Sequence, residues 1–179
     1  MIIFKMMYER EVYEAVDRLH KDLKGEFTPI LESDVVAYLC HLLISEGVPA
    51  SKIHVNSRVV GLKNKKMDIV IGDVREDGRR AIQPFMVMEV KAFFRDFEPQ
   101  QCWRRFTNLI GKGDSESDLE KLGAISCYLK FMLIVDEQDY LEGRYGDEIR
   151  RDVLRKKRDS LAPDVKLLII TRGHEIEEL

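Results

Sequence analysis

Three residues stand out for the chemistry they could share. Asp68 interrupts the apolar run Lys66-Met-Asp-Ile-Val-Ile71, and Glu89 and Lys91 close the apolar run Phe85-Met-Val-Met-Glu-Val-Lys91. Both runs have the length and residue types of strands. Side chains alternate across a strand, so Glu89 and Lys91 fall on one face. A hairpin folded symmetrically about Gly78 and Arg79 pairs residues whose numbers sum to about 157, which sets Asp68 opposite Glu89 to within a residue or two. Charges on a core strand must be paired, bound to a metal or open to a cleft, because burying a lone charge is costly.

Two carboxylates and an ammonium on one patch suit a particular reaction. The carboxylates attract Mg²⁺, with Mn²⁺ as a substitute, because a hard cation prefers oxygen ligands and keeps several waters. The bound ion polarises a phosphoryl oxygen and lowers the pKa of its water. A lysine beside it can orient or deprotonate that water and offset charge in the transition state. The carbonyl of Val90, between Glu89 and Lys91, is a further candidate ligand. The expectation is metal-dependent hydrolysis of a phosphodiester. The plainer alternative makes Asp68, Glu89 and Lys91 a cross-strand salt bridge on a solvated face.

Asp68, followed on the next strand by Glu89-Val90-Lys91, resembles the PD-(D/E)XK nuclease superfamily, the fold of restriction endonucleases and archaeal Holliday-junction resolvases. The resemblance covers a core from about Glu32 to Val135. It implies a helix before a three-strand meander, with a glutamate on that helix joining the metal site, and Glu32 stands at the matching position. It also implies a hydrolase, a DNA endonuclease, in which Asp68, Glu89, Val90 and Glu32 hold Mg²⁺ and Lys91 positions the water. Asp118-Leu-Glu-Lys-Leu122 looks like the helix that follows the active strand in many members. Met67 stands where the family name has proline. Some exonuclease branches carry a glutamine one helical turn before a tyrosine; Gln100 and Gln101 are followed at that spacing by Arg104 and Arg105, which does not support that branch. Many relatives act as dimers, so a homodimer is an expectation by analogy. An RNA-cleaving relative, or a non-catalytic nucleic-acid-binding or assembly protein that keeps the fold, are the rival readings.

The elements that must position these residues are legible in the periodicity. Met7 to Leu23 reads as an amphipathic helix, with Val12, Ala15, Val16, Leu19 and Leu23 at helical spacing. A second helix starts near Ser33, as N-cap, and runs to Gly47. Ile53 to Val60, Met67 to Ile71 and Phe85 to Lys91 read as strands, with a turn at Glu76-Asp77-Gly78. Glu98 to Ile110 and Asp118 to about Cys127 read as helices, Phe131 to Val135 as a buried strand, Asp147 to Ser160 as a charged helix, and Val165 to Thr171 as a last strand. The order predicts an α/β fold with a mixed central sheet flanked by helices. The resemblance implies that this contains the restriction endonuclease-like αβββαβ core at about 28–136, with an extra N-terminal helix, all in a single domain of residues 1–179.

The bulk numbers are compatible with this reading without pointing to it. The chain has 179 residues, 45% hydrophobic and 34% charged, as a globular protein does. No apolar run is long enough to span a bilayer, and Met1-Ile-Ile-Phe-Lys5 is too soon charged for a secretory signal. Cys40, Cys102 and Cys127 read as reduced thiols of a cytoplasmic protein. The net charge of -3 neither announces nor excludes a nucleic-acid partner.

Other residues carry weaker expectations. In Gln101-Cys-Trp-Arg-Arg-Phe106, Arg104 and Arg105, with Lys112 beyond the helix, could hold phosphates while Trp103 stacks on a base. Alternatively Trp103, Phe106 and Ile110 pack into the core and the arginines are solvated. Arg150-Arg-Asp-Val-Leu-Arg-Lys-Lys-Arg158 could contact phosphates or be a solvated helix face paired with acids. His20, His41, His54 and His174 show no metal-ligand spacing.

Overall fold

The computed structural model describes residues 8–62, 65–75, 81–112, 116–171 and 176–179. The expected turn at Glu76-Asp77-Gly78, part of the loop after Gly111, and His174 lie outside the described residues. The chain runs α1 (Glu9–Asp22), α2 (Glu32–Ser45), β1 (Ile53–Arg58), β2 (Lys66–Arg75), β3 (Ala81–Phe93), α3 (Pro99–Ile110), α4 (Asp118–Gly123) and β4 (Leu129–Asp136). It continues with the short pair β5 (Arg144–Tyr145) and β6 (Glu148–Ile149), then α5 (Arg150–Leu161), β7 (Lys166–Thr171) and β8 (Ile176–Glu178).

Six strands form one mixed sheet in the order β1-β2-β3-β4-β7-β8. The first three make an antiparallel meander. β4 and β7 then add in parallel beside β3, and β8 returns antiparallel at the edge. The parallel centre is covered on both faces, which is why every residue of β4 is buried.

Alternation along β3 sorts the two cores. Met88, Val90, Ala92 and Phe94 face α1 and α2. Val87 and Phe93 face the other layer, with residues of α3, α4 and α5. Glu89 and Lys91 have the parity of Val87 and Phe93, so they interrupt an otherwise apolar row beneath α3 and α4. The β2–β3 pairs Ile69 with Met88, Val70 with Val87 and Ile71 with Met86 follow the register expected from the sequence. A bulge between Ile71 and Gly72 then shifts the ladder by one residue. Gly72 leaves no room for a side chain there: a Cβ would meet the Gln83 carbonyl oxygen at 2.3 Å. Pro84 pairs at this irregularity, before β4 begins to pair at Met86, where a missing N–H does least harm.

Several boundaries differ from the expectations. α2 starts at Glu32, and Ser33 is not its cap; Asp34 reaches back to accept from the N–H groups of Ile30 and Leu31, each at 2.9 Å. α4 stops at Gly123, well short of Cys127; Gly123 lies against the last residue of α5, where a Cβ would meet the Leu161 carbonyl oxygen at 2.3 Å. The charged helix α5 begins at Arg150, after the β5–β6 pair that occupies its expected first turn. Strand β8 carries too little apolar pattern to have been anticipated.

Candidate active site

The site is built where β2 and β3 part. Their ladder ends at Ile69 and Met88, and the Asp68 side chain supplies the next rung, accepting a hydrogen bond from the Val90 N–H at 2.8 Å. The N–H and C=O of one strand residue point to the same side. The Val90 carbonyl therefore also faces Asp68. On the same face, Glu89 is 2% exposed. Burial, then the charge of Asp68, pushes the Glu89 carboxyl up to about 8, against which Lys121 acts only in part. A carboxylate this deep beside a second one calls for positive charge.

Two helices supply it. In α4, Ser117 Oγ accepts from the Glu120 N–H at 3.1 Å, and Glu120 accepts from the Ser117 N–H at 2.7 Å. This capping box fixes the first turn. Leu119 and Leu122 are buried, which leaves Asp118 and Lys121 on one flank at i,i+3 spacing. The Lys121 ammonium rests on the Glu89 carboxylate, 3.4 Å from Asp118 and 3.3 Å from the Lys66 carbonyl oxygen. Asp118 also holds the Lys91 ammonium at 3.0 Å. Desolvation pulls the Lys91 pKa down, but Asp118, and then Glu89 and Asp68, outweigh it, and the net direction is upward. Lys91 is therefore a fixed ammonium at neutral pH.

Glu32 enters from the first turn of α2, where the helix dipole favours an acid. Its carboxylate lies 4.0 Å from Lys91 and pairs with Arg105 of α3, whose guanidinium stacks over Phe97 at 4.6 Å. Of the sequence-predicted residues, Asp68, Glu89, Lys91, Val90, Glu32 and Arg105 come together. Arg105 joins as the partner of Glu32, with a quarter of its side chain exposed. Arg104 is exposed on α3, and Lys112 lies over the Trp103 ring at 5.4 Å. Trp103 packs against Tyr145, while Phe106 and Ile110 are core. The basic face of α5 is largely matched by acids: Arg151 pairs with Glu142 and Glu177, Arg155 with Asp152, Lys156 with Glu148 and Arg158 with Asp159.

Asp118 and Lys121 were not anticipated as site residues. Their signal was present in the i,i+3 charges flanking Leu119 and Leu122 just after Ser117. In all, four carboxylates (Glu32, Asp68, Glu89 and Asp118) face three cations (Lys91, Arg105 and Lys121), which leaves one negative charge when all are ionised.

The donor set fits a small divalent cation. Mg²⁺ is held through one or two carboxylates and retains waters, so Asp68 and Glu89, with the Val90 carbonyl beside them, would suffice. Among the described residues, no group of three or more Asp, Glu, His or Cys side chains has a metal-holding arrangement, and Glu32 is engaged by Arg105 instead. Cavities of about 150 and 440 Å³ open at Lys24, Arg95 and Glu137, and neither is lined by the cluster. Thiol chemistry has no support, since burial pushes Cys40 and Cys127 up to about 11. Among the described residues no helix is long and apolar enough to cross a membrane. No family model, curated protein or solved structure matches the chain.

Proposed function

We propose that the chain is a metal-dependent nuclease with the restriction endonuclease-like arrangement of its αβββαβ segment. The observation that carries this reading is the rung at the parting of β2 and β3. Asp68 there lies beside a buried Glu89 whose carboxyl it pushes upward, with Lys91 on the same face. When bound, the ion would polarise the phosphoryl oxygen and acidify a water. Asp68, Glu89 and the Val90 carbonyl would hold it.

Lys91, kept charged by Asp118, serves as a donor that orients the water or a phosphoryl oxygen. A charged ammonium has no lone pair, so it is not the base. Glu32 and Arg105 brace Lys91 from the α2 side. Arg105 is also the nearest guanidinium for a flanking phosphate. All of these groups come from one chain, so a second copy is not required to complete the site. DNA as substrate follows from the family resemblance.

A second reading has its own observation. Each acid of the cluster except Asp68 already has a cation, so the network also suits a non-catalytic core that holds α2, α3 and α4 to the sheet. Incubation with single-stranded, duplex and branched DNA and RNA, in Mg²⁺, Mn²⁺ or EDTA, separates the readings. Cutting of DNA that EDTA abolishes is the expected result, cutting confined to RNA reassigns the substrate, and intact substrates throughout sink the nuclease reading.

A further inference from the structure

We propose that Lys121 is the resident counter-cation of Glu89 and that it must give way for a divalent cation to enter. This rests on the reading of Asp68 and Glu89 as a metal site. Among the described residues, Lys121 is the one ion-pair partner of Glu89. Only 14% of the Lys121 side chain and 3% of that of Glu89 are exposed, so the contact is nearly dry and weakly screened. A cation placed on that carboxylate would meet the ammonium at contact distance, and like charges there repel strongly.

The geometry allows the exchange. Lys91 is tied to Asp118 and lies near Glu32, so it stays in place when Lys121 leaves. Lys121 has a flexible stem and two weaker contacts, to Asp118 at 3.4 Å and to the Lys66 carbonyl at 3.3 Å. It stands on a helix of six residues, less than two turns, four residues after its N-cap. Lys121 is thus a positioning residue that keeps the site assembled without metal and lowers its affinity for metal.

The test is calorimetric titration of the full chain with MnCl₂, without nucleic acid. Lys121→Met keeps the length of the side chain and removes its charge; it is expected to bind Mn²⁺ roughly tenfold more tightly than the wild type, the effect of one nearby unit charge. Lys121→Arg keeps the charge and is expected to bind as the wild type does. Equal or weaker binding by Lys121→Met overturns the proposal while leaving the metal reading intact. No binding by either protein overturns both. Tight binding by Lys121→Met alone supports both.

A measurement on the wild type guards against a variant that does not fold. Reductive methylation of Lys121, followed by mass spectrometry, is expected to accelerate in saturating Mg²⁺. Lys166, paired with Glu9 and Tyr13 on the α1 side of the sheet, is expected to react at an unchanged rate. A Lys121 rate indifferent to Mg²⁺ overturns the proposal.

Discussion

Glu89 is the residue on which the site turns, and its protonation ties stability to pH. Its pKa is about 8 in the folded chain against an ordinary value of 4.5. Between those values the folded state holds a proton that the unfolded chain has released, so stability falls as pH rises through that window. Glu89→Gln removes this dependence. Thermal melts from about pH 5 to about pH 9 should show the variant gaining on the wild type as pH rises; parallel curves would contradict the assignment. A cation competes with the same proton, so metal affinity should increase with pH up to about 8. Lys91 makes a different prediction, because the task proposed for it is donation and not metal holding. Lys91→Ala should lower cleavage by about 10²–10⁴-fold while retaining Mn²⁺ binding, as single-turnover rates and calorimetry would show. A variant that cuts like the wild type would remove Lys91 from the mechanism.

At the scale of elements, the site depends on three short pieces of backbone: the end of the β2–β3 ladder, the first turn of α2 and the first turn of α4. The last of these is held by the Ser117 capping box and by the close approach of Gly123 to Leu161. Ser117→Ala should cost about 1 kcal/mol of stability, read from urea midpoints, through loss of the N-cap. Gly123→Ala should cost more, since its Cβ would meet backbone and α4 must shift, carrying Asp118 and Lys121 with it. The hairpin register was legible in the sequence because a period of two leaves little choice once one face is apolar; Asp68 itself lies one residue beyond the last paired rung, where its side chain accepts from the Val90 N–H. The bulge at Gly72 was not legible, since it answers to crowding against Gln83 across the ladder. The roles of Asp118 and Lys121 were not legible for a similar reason. An i,i+3 acid and base on a helix is the ordinary sign of a solvated face, and only the docking of α4 over β3 turns that flank inward.

For the whole molecule, the strand order and the layering follow from patterns visible in the chain: a meander of three strands, then helical crossovers that add β4 and β7 in parallel. The N-terminal helix is where the sequence said least. Its apolar stripe, Val12, Ala15, Val16 and Leu19, is fully buried within the chain, against α2 and the sheet, and Glu9 and Tyr13 hold Lys166 of β7. That face is therefore not free for a second copy. Each Val or Leu lost from it removes about 1.5–3 kcal/mol, and a domain has only about 5–15 kcal/mol in total. Deleting residues 1–23 should leave a chain without cooperative unfolding by circular dichroism; a folded truncation would show α1 to be an accessory.

The central claim is that Asp68 and Glu89 share one divalent cation and that Lys91 stands beside it. A crystal soaked in MnCl₂ and measured for anomalous scattering tests this most directly. The account predicts a single strong peak bound by oxygens of both carboxylates, absent from Glu89→Gln. No peak at saturating Mn²⁺, with Lys121 still seated on Glu89, would contradict it.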